Sequence, residues 1–184
     1  MDDVTEIASS LGLLRLRPER EEDQPFRLRL FCDSRPAEFA LLQQQLGTPA
    51  FDQLMRFQFQ AQTVTYLTNF PQARFDIIEL DGTPIGRIVV NRPGALIHIV
   101  DQAIVPAMRN RGLGTTIMHA LMDEAGRGGK AVRLKVASTN DPSMRLYLRL
   151  GFVPIGTDPF YIEMEWRASA GTDRPTVPSP TASG

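Results

Sequence analysis

Cysteine occurs once in the 184 residues, at Cys32. One thiol can build neither an intrachain disulfide nor a thiolate metal cluster. Histidine is nearly as scarce, with only His98 and His119, so a histidine-rich metal site is not expected. Formal net charge is −1, which offers no global attraction to nucleic acid or to an anionic membrane surface. No run approaches the ~20 apolar residues of a membrane span. The first ten residues, MDDVTEIASS, are acidic rather than basic and lack the pattern of a secretory signal. The expectation is a cytoplasmic protein without metal, nucleic-acid or membrane partners. The remaining composition, 42% apolar and 22% charged, suits one globular domain with a sizeable core.

The clearest chemical statement lies between Val100 and Thr116. An apolar run from Ile97 to Val105 reads as a buried strand, stopped by Pro106. Arg109, Asn110, Arg111, Gly112, Leu113 and Gly114 follow, and then Thr115 and an amphipathic helical pattern. A strand, a glycine-bearing turn and a helix start together form an anion site. Unpaired N–H groups and the positive end of the helix dipole converge there. Gly112 and Gly114 carry no side chain to hold a phosphate away, and Arg109 and Arg111 add charge.

The rest of the chain frames that turn. Residues 1–10 read as a loose lead. Leu11 to Arg17 alternates as a first strand, and helices are expected over Asp23–Arg35, Arg35–Leu46 with Ser34 as cap, and Pro49–Asn69. The last carries Gln53, Gln58, Gln60 and Gln62, read as a solvated face in preference to a substrate contact. The period then switches to two. Phe75–Leu80, Ile85–Val90 and Ala95–Val105 form an antiparallel meander with a turn at Asp81-Gly82. After the glycine turn, Leu113, Ile117, Leu121 and Ala125 recur at helical spacing and read as core. A strand over Val132–Val136 and a helix opened by Asn140-Asp141-Pro142 come next, followed by strands over Phe152–Ile155 and Tyr161–Trp166. The Ser-, Thr-, Pro- and Gly-rich stretch at 168–184 reads as disordered. This order predicts a single α/β (α+β) domain over 11–167, a mixed, mostly antiparallel twisted sheet flanked by helices.

Arg109-x-x-Gly112-x-Gly114 resembles the R/Q-x-x-G-x-G/A signature of the GNAT N-acetyltransferase superfamily. About 25 residues later, Asn140-x-x-Ser143-x-x-Leu146-Tyr147 runs on to Gly151-Phe152, similar to the family's second hallmark, N-x-x-[AS]-x-x-[LF]-Y-x-x-x-GF. Two motifs in the right order, with the expected elements between them, are far more specific than a lone glycine turn. A Rossmann-type fingerprint is disfavoured, since it would follow the first strand of a parallel unit rather than a meander.

The resemblance implies acetyl-coenzyme A as cosubstrate, no metal, and a primary amine of a small molecule or peptide as acceptor. A homodimer is compatible with it. It places the pyrophosphate on Arg109, Asn110, Arg111, Gly112, Leu113, Gly114 and Thr115. The pantetheine arm is placed along Ala103, Ile104 and Val105, with an oxyanion near the N–H of Val105. Asn140 is carried over as a cofactor contact, with a plain helix cap as the equal alternative. Tyr147 takes the general-acid position and also a place in the cofactor site. Many family members carry a basic glutamate in the long strand, where this chain has His98. Asp101 competes for that role, although alternation puts it on the opposite face unless a bulge intervenes. A water is a further option, and Glu79 and Glu163 are fallback carboxylates. The implied function is N-acetyl transfer by direct attack, the alternative being a non-catalytic acyl-coenzyme A binder. His119 and Cys32 are read as structural.

Overall fold

The computed structural model describes residues 4–34 and 36–168. Alternating apolar positions build eight strands: β1 (Thr5–Ser9), β2 (Gly12–Pro18), β3 (Arg74–Leu80), β4 (Thr83–Asn91), β5 (Leu96–Ile104), β6 (Ala131–Ala137), β7 (Val153–Thr157) and β8 (Tyr161–Arg167). Five helices accompany them: α1 (Gln24–Asp33), α2 (Pro36–Leu46), α3 (Thr48–Asn69), α4 (Leu113–Arg127) and α5 (Asp141–Arg149). The strands form one sheet in the order β1-β2-β3-β4-β5-β6-β8-β7. Every pairing is antiparallel except β5 with β6. The architecture is the expected mixed sheet flanked by helices.

One expectation is corrected. The lead is not loose over its whole length, because Thr5–Ser9 hairpins onto β2 and pairs Thr5 through Ser9 with Leu16 through Gly12. Ile7 then packs on the core as a partly buried residue, so a one-sided apolar contact holds a strand that alternation alone did not reveal. Ser34, expected to cap α2, donates its hydroxyl to the carbonyl of Phe31 at 2.8 Å at the end of α1; the neighbouring Arg35 lies outside the described residues. The expected disorder over 169–184 lies outside the described residues.

The main core lies between one face of the sheet and α4. Leu113, Ile117, Met118, Leu121, Met122 and Ala125 of α4 pack with Leu14, Ile88, Ile97, Val132 and Phe152. The stripe read as core is core, and each fully buried Leu or Ile there contributes ~1.5–3 kcal/mol. A second cluster, Phe31, Phe39, Phe51, Met55 and Phe59, joins α1, α2 and α3, and α1 also packs on β4 and β5. At one margin of the sheet, β7 is exposed along its whole length, and its register slips between Pro154 and Gly156.

Two irregularities of β5 decide what the fold can do. The parallel pairing with β6 runs from Leu96↔Ala131 to Ile99↔Leu134 and stops. Beyond it the two strands part, each bonded only to its outer neighbour, β4 or β8. A gap therefore opens inside the sheet, flanked by the N-termini of α4 and α5. The second irregularity is a bulge: Val89 faces Asp101 and Val90 faces Ile99, so Val100 has no partner.

Candidate active site

The bulge settles which face Asp101 occupies. Val89 and Asn91 are two residues apart on β4 and share a face. Asp101 lies opposite Val89 and His98 opposite Asn91, so both acidic and imidazole side chains emerge on that face. Simple alternation would have separated them; the extra residue at Val100 reverses it.

Along the gap, main-chain direction also alternates. Val105 donates its N–H to the carbonyl of Ile85, near the start of β4, at 2.9 Å. That N–H is spent, which corrects its expected part as an oxyanion donor. The Ala103 carbonyl likewise points at β4, so closely that a Cβ on Gly86 would overlap it. By the two-residue period, the N–H groups of Gln102 and Ile104 face the gap. The chain end expected to pair with an extended ligand thus divides: Ile104 faces the gap, whereas the main-chain polar groups of Ala103 and Val105 face β4, and Gln102 enters in their place.

At the open end of the gap, Pro106–Met108 makes one 3-10 turn and the chain passes into α4. Asn110 and Gly112 adopt φ of 57° and 83°, the left-handed region that glycine enters freely and asparagine tolerates. Gly112 is the N-cap of α4 and supplies no side-chain acceptor. The first closed helical bond runs from Thr116 N–H to the Gly112 carbonyl, at 2.9 Å. Leu113, Gly114 and Thr115 therefore start the helix with N–H groups that have no acceptor within it. A Cβ at Gly112 would point into open space, so the approach to those amides is clear.

The arginines of the turn do different work. Arg109 donates from Nε to the Ile104 carbonyl at 2.8 Å and from Nη2 to the Asp33 carbonyl at 2.9 Å. It braces the turn against β5 and the end of α1, where it was expected to add charge to the anion site. Arg111 is exposed, with Nη1 3.3 Å from the Met108 sulfur, and keeps its charge beside the turn.

On the other side of the gap, Asn140 accepts a hydrogen bond from the Ser143 N–H at 3.2 Å and caps α5. That cap orients Tyr147, whose ring lies 5.7 Å from that of Phe152. Burial pushes the Tyr147 phenol up to about 12, with the negative charge of Asp101 adding to the effect. Asp101 is therefore close enough to act on the phenol. His98 sits deeper, where the strands are still paired, with its ring 5.2 Å from Phe70. Burial lowers its pKa, partly opposed by the charge of Glu163, so the imidazole is neutral at neutral pH.

Of the fallback carboxylates, Glu79 is placed elsewhere, whereas Glu163 is near enough for its charge to act on His98. Glu79 accepts from Arg17 Nε at 2.7 Å, and Glu163 lies on β8 opposite Lys135. His119 is exposed, and burial raises the Cys32 thiol, which keeps it protonated and unreactive. Of the glutamines, Gln53, Gln58 and Gln60 are exposed and Gln62 is half-buried, and Gln58 and Gln62 border an open pocket of about 380 Å³ with Tyr66 and Tyr161. Among the described residues, no three His, Cys, Asp or Glu side chains gather into a metal site, and no helix is long and apolar enough to cross a membrane. Sequence reasoning missed Arg87, which meets Asp101 on its own face, and Glu19, which pairs with Arg87. A lone arginine inside the run Ile85-Gly86-Arg87-Ile88-Val89-Val90 was the available signal.

Residues 38–152 match the Acetyltransferase (GNAT) family. An uncharacterised protein of Mycobacterium leprae (strain TN) is 41% identical over 65 residues, which is 35% of this chain and 17% of that protein. The chain thus spans well under a fifth of that relative's length. The fold is similar to that of the PaiA N-acetyltransferase of Thermoplasma acidophilum, solved in complex with coenzyme A. The TM-score is 0.61 and the identity 17%, over 84% of this chain and 99% of that one. It is equally similar to RimL, a ribosomal L7/L12 alpha-N-protein acetyltransferase, with a TM-score of 0.61 and 19% identity over 90% and 95% of the two chains. At these identities the likeness is one of fold.

Proposed function

The chain belongs to the Acetyltransferase (GNAT) family, and from that premise we propose that it is an N-acetyltransferase. The donor is acetyl-coenzyme A and the acceptor a primary amine that attacks directly. One observation carries the reading: β5 and β6 part after Ile99↔Leu134 and leave a strand-width gap with main-chain donors on its wall. Uncapped amides of α4 lie at its mouth, and Tyr147 lies along its side. The residues fit the cosubstrate. The N–H groups of Leu113, Gly114 and Thr115 suit a pyrophosphate, with Arg111 beside them. Gln102 and Ile104 suit an extended amide-bearing arm.

Acetyl-coenzyme A would supply an activated thioester and a thiolate leaving group. Tyr147, with its phenol at about 12, is protonated at any working pH. It is a weaker acid than the coenzyme thiol, which resembles a free cysteine at ~8.5. Its contribution is therefore a hydrogen bond to the departing sulfur as negative charge develops. On the acceptor side, an ammonium must lose a proton before it attacks. Asp101 and His98 share the face from which it approaches. Asp101 stands nearer Tyr147, and we assign it the proton, directly or through a water. The non-catalytic reading drew its support from the missing carboxylate at the position of His98; Asp101 on the same face supplies one. A cytoplasmic location belongs to the same proposal.

The test is a thiol-release assay with acetyl-coenzyme A across peptides with free α-amines, lysine side-chain peptides and polyamines, alongside a thermal shift with acetyl-coenzyme A. Turnover of at least one amine class is expected. Binding without turnover on any of them would return the protein to the binder class.

A further inference from the structure

Four charged side chains on one face of the sheet form a chain of alternating sign. Arg27 Nε stands 3.1 Å from Glu19 Oε2. Glu19 Oε1 accepts from Arg87 Nε, and Arg87 Nη1 stands 3.4 Å from Asp101 Oδ2. Exposure rises only at the last member: the side chains are 13%, 10%, 5% and 27% exposed in that order. The Arg87 guanidinium also lies 5.9 Å from the Tyr66 ring centre and 5.5 Å from that of Phe75. It has little freedom to swing away. Its Nη2 is buried without a hydrogen-bond partner, a loss the two ring faces partly offset.

Such an arrangement is expensive, because desolvating a charge costs several kcal/mol. Stability alone would be served as well by apolar groups of the same volume. What the chain of charges achieves is a fixed position and a tuned charge at its one accessible end. Glu19 neutralises much of Arg87, so Asp101 meets a compensated cation rather than a bare one.

We propose that Arg87 is a positioning residue for Asp101, holding its carboxylate beside the point where β5 and β6 part, with Glu19 setting how strongly. The inference rests on the acetyl-transfer reading, in which Asp101 receives the acceptor's proton. The other groups facing this region are the Tyr66 phenol from α3, His98 from β5 and Tyr147 from α5. Across the gap Arg133, Lys135 and Glu163 act on His98. None of these is altered in the test.

Two substitutions should move Asp101 in opposite directions. Arg87→Met removes the cation and leaves Glu19, so the Asp101 carboxylate should titrate higher. Glu19→Gln removes the compensating anion and leaves Arg87, so it should titrate lower. Carboxyl carbon-13 NMR titration of Asp101 reads both shifts without needing an acceptor, with each expected to be about one pH unit. With the best amine from the panel above, the acid limb of kcat/KM should follow. Below the wild-type limb Arg87→Met should lose up to about tenfold, the most a one-unit shift allows, and above the limb it should recover the wild-type rate. Arg87→Lys should restore much of the wild-type profile, and KM for acetyl-coenzyme A should hold in all three. Loss of activity by the same factor at every pH, or shifts of one sign in both variants, would overturn the proposal. If Arg87→Met fails to fold, Glu19→Gln alone decides by the sign of its shift. An Asp101→Asn variant that keeps wild-type kcat/KM would refute the assignment of the proton to Asp101. An inactive Asp101→Asn variant beside unmoved limbs would refute only the role of Arg87.

Discussion

Arg109 Nη2 lies 2.9 Å from the main-chain oxygen of Asp33, tying the turn before α4 to the last residue of α1. A cation at the C-terminal end of a helix is favourable in itself. Here the same guanidinium also holds the Ile104 carbonyl, so one side chain fixes the end of β5, the anion turn and the first helix together. Arg109→Met should lower stability by about 2 kcal/mol, since charge-assisted hydrogen bonds are worth ~1.5–3 kcal/mol each and this one is partly solvated. KM for acetyl-coenzyme A should rise severalfold with kcat little changed. Urea unfolding and initial rates check the two parts separately.

Tyr147→Phe removes the hydroxyl and keeps the ring contact with Phe152. Turnover should fall by ~10²-fold or more if the phenol assists thiolate departure. The thermal shift produced by acetyl-coenzyme A should stay close to wild type. Unchanged turnover would take Tyr147 out of the chemistry.

Gly86→Ala tests how closely β4 and β5 approach. A Cβ there meets the Ala103 carbonyl oxygen, part of the backbone that cannot rotate away. Overpacking of this kind costs about 1–3 kcal/mol. Gly112→Ala is a different case, with open space around the new methyl but a left-handed backbone costing about 1–2 kcal/mol. Gly86→Ala should reduce the melting temperature with affinity preserved in the folded fraction. Gly112→Ala should weaken acetyl-coenzyme A binding as well.

The pair Arg17–Asp23 sets an acid limit to stability. Arg17 Nη1 and Nη2 reach the two Asp23 oxygens at 2.7 and 2.8 Å. The guanidinium, with the Arg20 N–H, holds the Asp23 carboxyl below the usual range against the opposing effect of burial. A carboxyl whose folded pKa is depressed contributes stability above its unfolded value of ~3.9, and that contribution fades as pH falls through the folded pKa. Asp23→Ala should therefore cost about 3 kcal/mol near neutral pH. The difference from wild type should shrink steadily below about pH 4 in urea melts.

Periodicity located nearly every helix and strand, because α4 and the meander bury one clear face each. Its failures were local. Thr5–Ser9 carries one useful apolar residue, Ile7, and becomes a strand only because β2 offers it an edge. The cofactor half of the site was legible at Arg109–Thr115 and Asn140–Phe152, where backbone shape dictates residue type. The acceptor half was not. Asp101 reaches the face of His98 through a bulge at Val100, a β-branched residue that fits a regular strand equally well. Nothing in a linear pattern records a two-against-one pairing. Arg87 and Glu19 lie 68 residues apart, and only the pairing of β2, β3 and β4 brings them together. The direction of Val105 N–H is likewise a matter of which neighbour it finds.

The margin at β7 has a meaning for the protein in a crowded solution. Val153 and Ile155 are exposed there at 57% and 45%, on a strand with no outer partner among the described residues. A flat apolar margin of this sort recruits strands from other molecules. Pro154 removes one donor from the row, and the slip between Pro154 and Gly156 bends what remains, so an incoming strand finds no regular ladder to extend. The irregularity that weakens the last hairpin is thus what keeps neighbouring copies from joining edge to edge into aggregates.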